Sequence, residues 1–352
     1  MRRLLLVPAV ILAFVVAGAA VLWWPYSSRS SASDAPQGVA NAVLAPLAVT
    51  RTVRAVEGDL IAADVDAKDL RQGMHTSDLD VTSIYPSGSG PYGVGIVVRI
   101  EFAEPVPISA RAVIERGIRV HTSRPLTDAA WSWINDQTLS FRPRSFWPED
   151  TKVRISTTWD PTVLAALGTR SGDGEPDVLV TDEQFDLDFS VGRSQVLTIS
   201  NATQTGELTI SGKVVREVPV SLGKPGWETR SGIKAIMERY RVNRMTSQEV
   251  GDSTQSYDLM VPYAMRLTPT GEFLHAAPWA TGRLGVYAGS HGCTNLSMTE
   301  GEWFFTHALE GDPVITRGTG RSMEPWNGPG GAWNVSWREW LDASGSGDVV
   351  GQ

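Results

Sequence analysis

The sequence contains one cysteine in 352 residues. That scarcity excludes the disulfide framework of small exported domains, and no cysteine near the N-terminus could carry a lipoprotein's acyl groups. Positive charge is also in deficit. Lysine and arginine number 31 against 39 aspartates and glutamates, a net charge of −8 that lacks the basic footprint of a nucleic-acid-binding protein. Charged residues make up only 20% and hydrophobic residues 42%, so the chain has apolar material for packed cores and is not globally disordered.

What is present starts at the N-terminus. Met1-Arg2-Arg3 precedes an uncharged, mostly apolar run from Leu4 to Tyr26 that closes on Trp23-Trp24-Pro25-Tyr26. The run can span a bilayer, the arginines set its start inside the cell, and the aromatics suit the outer interface. Residues 1–26 are therefore expected to form a transmembrane anchor, with Ala17-Gly18-Ala19-Ala20 keeping open a cleaved signal segment. Either way the body is expected to be extracytoplasmic. Residues 27–78 read as a tether, SSRSSASDAPQ, and an ambiguous lead-in.

The rest is expected to be mainly β. Ile96, Val98, Ile100 and Phe102 alternate with Arg99 and Glu101, the period of a half-buried strand, and Ile118/Val120, Leu139/Phe141, Val153/Ile155 and Leu187/Phe189 mark further short strands. Strands at this spacing predict an immunoglobulin-like β sandwich over 79–190, without the disulfide of antibody domains. The acidic loop 171–177 lacks EF-hand spacing and reads as a solvated turn. A second β block follows over 191–318, with a hairpin turning at Ser211-Gly212 and one short helix over Glu300 to Leu309 whose Trp303, Phe304 and Ala308 face the sheet. In the final segment, 319–352, Trp333, Trp337 and Trp340 recur at helical spacing and are expected to pack on that block.

The only cysteine lies in the most unusual string, Ser290-His291-Gly292-Cys293-Thr294-Asn295, with His275-Ala276-Ala277-Pro278-Trp279 shortly before it. A solitary thiol in an exported protein is an accident, an intermolecular link or a reactive group. A neighbouring imidazole favours the last reading, because it can take the thiol proton. Both His275 and His291 are candidates. Gly292 lets the backbone approach a substrate carbonyl, and the amides of Gly292 and Cys293 are expected to form an oxyanion hole. His75, His121 and His307 read as surface or packing residues.

This constellation resembles the catalytic motif of the L,D-transpeptidases of the bacterial cell wall, a histidine followed at short spacing by Ser-His-Gly-Cys-x-Asn. Here the two lie at 275 and 293. Met245, Tyr257, Gly271-Glu272-Phe273-Leu274-His275, Gly311-Asp312 and Trp333-Asn334-Val335-Ser336-Trp337 resemble the actinobacterial branch, in which immunoglobulin-like domains separate membrane and catalytic domain. The resemblance implies a β-rich catalytic domain with Cys293 as nucleophile and His275 as general base, while His291 and Gly292 shape the nucleophile loop. It also implies that Tyr257 and Met245 line the pocket, that the Ala276 carbonyl orients His275, and that Trp279 and Asn295 contact or order the substrate. Ser290 either bonds in the pocket or caps the loop.

The implied reaction takes a stem peptide of peptidoglycan, cleaves after its diamino acid with release of D-alanine, and passes the acyl group from Cys293 to a second stem as a 3→3 cross-link. No cofactor and no metal are required, and carbapenem β-lactams are implied as covalent inhibitors. Three other readings are a carboxypeptidase using the same thioester, a zinc site of His275, His291 and Cys293, and a non-catalytic cell-wall-binding module.

Overall fold

The computed structural model describes residues 75–159, 162–169, 176–181, 184–247 and 257–351. The expected anchor, most of the tether and lead-in, and residues 171–175 of the acidic loop lie outside them, while Pro176 and Asp177 open a strand. Among the described residues no helix is long and apolar enough to cross a membrane.

The N-terminal half contains strands β1 (His75–Asp78), β2 (Val81–Tyr85), β3 (Val98–Phe102), β4 (Ile118–Thr122), β5 (Ala129–Trp133), β6 (Thr138–Pro143), β7 (Thr151–Thr157), β8 (Thr162–Thr169), β9 (Pro176–Thr181) and β10 (Asp186–Val191). They pair as β2-β3-β6-β5, β10-β7-β4 and β1-β9-β8. Strand β3 shows the expected alternation, with Val98, Ile100 and Phe102 buried. These side chains meet Phe141, Trp147, Ile155 and Phe189 in one core, the inward-facing sets of a sandwich. Strand β1 falls inside the lead-in and pairs in parallel with β9. Helix α1 (Ile108–Arg116) joins β3 to β4 and inserts Ala110 and Ile114 into the core.

The C-terminal half is built on two sheets. One runs β13 (Lys213–Pro219), β12 (Thr205–Ile210), β11 (Gln195–Ser200), β19 (Pro313–Arg317), β14 (Gly232–Ala235); the other runs β15 (Glu238–Thr246), β16 (Asp258–Arg266), β17 (Phe273–Ala276), β18 (Thr294–Leu296). Helix α2 (Met298–His307) starts at Ser297, whose hydroxyl accepts the Glu300 amide, a side-chain cap. Phe304 and Ala308 enter the core with Leu274 and Leu296, and Trp303 packs at its edge.

The final segment packs on the catalytic block only in part: its 3₁₀ turn lies against β14, where Gly330 meets Lys234 and Ala235, while its tryptophans turn to the sandwich. Trp333 lies in a 3₁₀ turn and Trp337 and Trp340 in helix α3 (Trp337–Asp342). All three rings gather around the Arg142 guanidinium of β6, at 4.9, 5.5 and 4.4 Å. The indole of Trp340 donates to the Ala130 carbonyl at 3.0 Å, and Ala129 and Val350 exchange backbone hydrogen bonds. The C-terminus is thus a clasp on the sandwich, while Asn334 ties it to β14 through both backbone groups of Ile233. The physical reason is charge: a buried guanidinium on β6 needs aromatic faces and carbonyls, and the tail supplies them.

Glu115 of α1 closes the clasp. Its buried carboxylate accepts from the Trp133 indole at 2.8 Å, the Ser344 hydroxyl at 2.8 Å, and the Gly345 and Ser346 amides at 2.6 and 2.8 Å. Glu115→Gln turns one acceptor into a donor facing donors, and is expected to lower stability by about 1–3 kcal/mol. Limited proteolysis should then cut the tail after Ala343 sooner than in the parent. An unchanged denaturation midpoint and cleavage rate would remove the clasp from the account.

Candidate active site

Strands β17 and β18 pair in parallel, with Leu274 opposite Thr294, His275 opposite Asn295 and Ala276 opposite Leu296. Cys293 precedes β18 directly, so the pleat directs it to the same side as Phe273 and His275. Both Cys293 and His275 line one cleft of about 230 Å³, together with Met245, Tyr257, Trp279 and Asn295. A second cleft of about 310 Å³ reaches Cys293 from the side of Thr270 and Gly271.

His275 is buried, and its Nδ1 donates to the Ala276 carbonyl at 2.8 Å. A carbonyl can only accept, so the proton sits on Nδ1 and Nε2 keeps its lone pair. Burial pushes the imidazole down to about 4 against the opposing pull of that carbonyl. Burial likewise pushes the Cys293 thiol up to about 12, opposed by a hydrogen bond from the Phe273 backbone and by Lys234 and Arg266. The resting pair at neutral pH is therefore neutral thiol and neutral imidazole, a base waiting for a proton rather than a preformed ion pair.

His291 is differently employed. Its Nε2 faces the Lys224 ammonium at 3.0 Å, and since an ammonium only donates, that nitrogen accepts. The ring lies between Trp227 at 5.2 Å and Tyr257 at 5.3 Å. A fixed positive charge thus stands where a zinc-bound His291 would have to present its lone pair, which argues against the zinc reading.

The nucleophile loop departs from the expected oxyanion hole. Gly292 adopts φ +114°, which favours glycine, but its amide donates to the Ser290 hydroxyl at 3.1 Å. Ser290 in turn donates to the Cys293 carbonyl at 2.6 Å and so caps the loop. Its small, close ring of bonds takes the Gly292 donor away from a substrate oxygen. Thr229 fixes the loop from below by donating to the Gly292 carbonyl at 2.8 Å. Asn295 lines the cleft, and its backbone pairs with Ser221. Met245 is buried at the meeting of both clefts, and Trp279 is half exposed with its ring 6.1 Å from that of His275.

Sequence reasoning missed three parts of this site. Lys224 and Trp227 hold His291, and their only signal was position in a glycine- and proline-containing loop. Beneath the loop lies a buried ion network in which Glu272 accepts from Lys234 Nζ at 2.9 Å and from Arg230 at 2.9 Å, with Glu324 on the other side of Arg230. The third is Arg283, which lines the cleft.

Residues 49–160 match the family described as bacterial Ig domain, and residues 194–316 match the L,D-transpeptidase catalytic domain. The chain is 29% identical over 265 residues to L,D-transpeptidase 2 of Mycobacterium tuberculosis, covering 74% of this chain and 62% of that protein. It therefore spans less than two thirds of that relative's length. Among solved structures, an L,D-transpeptidase in complex with imipenem aligns with a TM-score of 0.56 at 28% identity, over 68% of this chain and 99% of the other. L,D-transpeptidase 3 of M. tuberculosis in complex with a faropenem-derived adduct aligns at 0.53 and 28%, over 68% and 98%.

Proposed function

We propose that this chain, which carries an L,D-transpeptidase catalytic domain behind a bacterial immunoglobulin domain, forms 3→3 cross-links between peptidoglycan stem peptides through a thioester on Cys293. The observation that carries the reading is the shared cleft of Cys293 and a His275 whose Nδ1 is fixed and whose Nε2 keeps its lone pair.

As the Cys293 sulfur attacks the carbonyl of the donor's diamino acid, His275 Nε2 takes the thiol proton. The imidazolium returns it to the departing amine, D-alanine leaves, and the thioester remains. An amine of a second stem then attacks the thioester and yields its proton to His275, and the sulfur leaves and is reprotonated. With the Gly292 amide engaged, the Cys293 amide and the Tyr257 hydroxyl are the groups we assign to the developing oxyanion. The rings of Trp279 and Tyr257 bound the cleft where the stems lie.

Carbapenems fit the same chemistry by acylating Cys293, and the imipenem and faropenem complexes of the relatives support this. We further place the protein outside the cytoplasm, held to the membrane by residues 1–26, with the sandwich as a spacer toward the wall.

The test incubates the purified full-length chain in detergent with a disaccharide tetrapeptide, beside Cys293→Ala, and resolves products by mass. A dimer lacking one D-alanine, absent with Cys293→Ala, is the expected result. Tripeptide alone would assign a carboxypeptidase, and an inert protein with no adduct would leave a wall-binding module.

A further inference from the structure

The cleft around Cys293 carries a fixed positive charge that the reaction as derived does not use. Arg283 ends the 3₁₀ turn Pro278–Arg283, which begins two residues after Ala276. Its side chain lies flat along Gly289, and its NH1 donates to the Gly289 carbonyl at 3.0 Å. A Cβ on Gly289 would come within 2.7 Å of Arg283 Cδ and 3.1 Å of NH1, so a side chain there would unseat the arginine. The guanidinium is therefore held in place by the segment that leads into the nucleophile loop.

That anchor uses one of five N–H donors. Among the described residues no carboxylate pairs with Arg283, although most other arginines near the site have one: Arg230 with Glu272, Arg266 with Glu238 and Arg244 with Asp258. Among the described residues the cleft is lined by no aspartate or glutamate, and of its two histidines His275 is kept neutral by burial while His291 accepts from the Lys224 ammonium. A half-buried, positioned fork that shares the nucleophile's cleft and meets no carboxylate among the described residues suits a planar anion.

Resting on the transpeptidase reading above, we propose that Arg283 reads a free carboxylate on the stem peptide and makes the enzyme discriminate against stems in which that group is a carboxamide. A carboxylate accepts two parallel N–H bonds from the fork, whereas an amide offers one acceptor and turns an NH₂ toward a cation. The same chemistry has two sources, the terminal carboxylate of D-alanine and the second carboxylate of the diamino acid.

The test follows acylation of Cys293 in the full-length chain by intact mass. It uses three disaccharide tetrapeptides: both carboxylates free, the diamino acid amidated, and the terminus as D-alaninamide. The parent is expected to lose roughly tenfold to a hundredfold in kcat/KM with one amidated donor, and that donor identifies the source. Arg283→Gln keeps a donor for the Gly289 carbonyl without the charge, and is expected to bring the free-acid and amidated donors to within about twofold of each other. Gly289→Ala should do the same by displacing the arginine, while Arg283→Lys retains part of the preference.

A merely structural role for Arg283 would slow all three donors alike and leave their ratio intact, which would overturn the proposal. So would a parent enzyme indifferent to amidation. Failure of every donor to acylate the parent would remove the transpeptidase reading and this inference together, whereas ready acylation without charge preference would remove the inference alone. Alkylation of Cys293 by iodoacetamide in each variant checks that the cleft is formed.

Discussion

Glutamine in place of His275 should slow acylation of Cys293 by about a hundredfold to ten-thousandfold at pH 7, with a deficit that narrows as the pH rises. The reason is the order of the two groups. With the thiol pushed up to about 12 and the imidazole down to about 4, almost no thiolate exists at neutral pH, and attack depends on the imidazole taking the proton as the carbon–sulfur bond forms. Toward pH 10 hydroxide supplies a growing fraction of thiolate and the base matters less. The parent should stay active well below pH 6.5, since its base is protonated only near 4. Acylation by a carbapenem, followed by intact mass from pH 5 to 10, separates the two dependences. A deficit constant across that range would mean that His275 does not act as the base.

The same burial makes a stability statement. The folded pKa of His275 lies below the unfolded value of about 6.5, so the unfolded chain binds a proton that the folded chain does not. The stabilisation is full above 6.5 and is lost as the pH falls toward 4, on the order of 3 kcal/mol. His275→Gln should flatten that part of the stability profile.

How legible the fold was depended on what covers each strand. Strand β7 buries alternate residues, as its sequence pattern predicts, because one face meets the core and the other meets solvent. Strands β5 and β6 are buried at every position, and Ala130 and Arg142 lie under the C-terminal clasp. A second cover contributed from about 200 residues away in sequence leaves no period-2 signal. That is also why the spacing of the three tryptophans did not reveal the sandwich as their partner: it reports a shared face but not what the face meets. Helix α1 was missed for a related reason, since exposed Ile108 and Val113 blur its apolar stripe.

At the site, the shared cleft of Cys293 and His275 was legible because both fall in one short stretch of the chain, at two strands that pair. The supports were not legible. A charged residue reads as a solvated one, and the Lys234–Glu272 pair joins positions 38 residues apart. Arg283 sits in a stretch, ATGRLGVYAG, whose small residues look like an ordinary loop, and only the flat approach to Gly289 reveals a seat. The Gly292 amide shows the converse error. Its glycine was correctly read as a backbone device, but the nearest oxygen acceptor was Ser290 rather than a substrate.

The ion network beneath the loop carries the second large effect. Lys234 is fully buried, and besides Glu272 its ammonium meets only the Arg230 carbonyl among the described hydrogen bonds. Glu272→Val leaves that ammonium and the Arg230 guanidinium facing each other without the carboxylate between them, and should cost about 3–5 kcal/mol. Lys234→Met should be milder, because Arg230 still satisfies Glu272. The double variant removes the pair as a unit and should lose clearly less than the sum of the two, with a coupling of about 0.5–3 kcal/mol by urea denaturation. Strict additivity would mean that the pair acts as two separate groups. The network also bears on the nucleophile, since Glu272 pushes the Cys293 thiol up and Lys234 pulls it down. Removing each charge should therefore move the pH midpoint of Cys293 alkylation in opposite directions, downward for Glu272→Val and upward for Lys234→Met. Loosened packing alone would shift both the same way, so a common direction would confine the network to holding the loop.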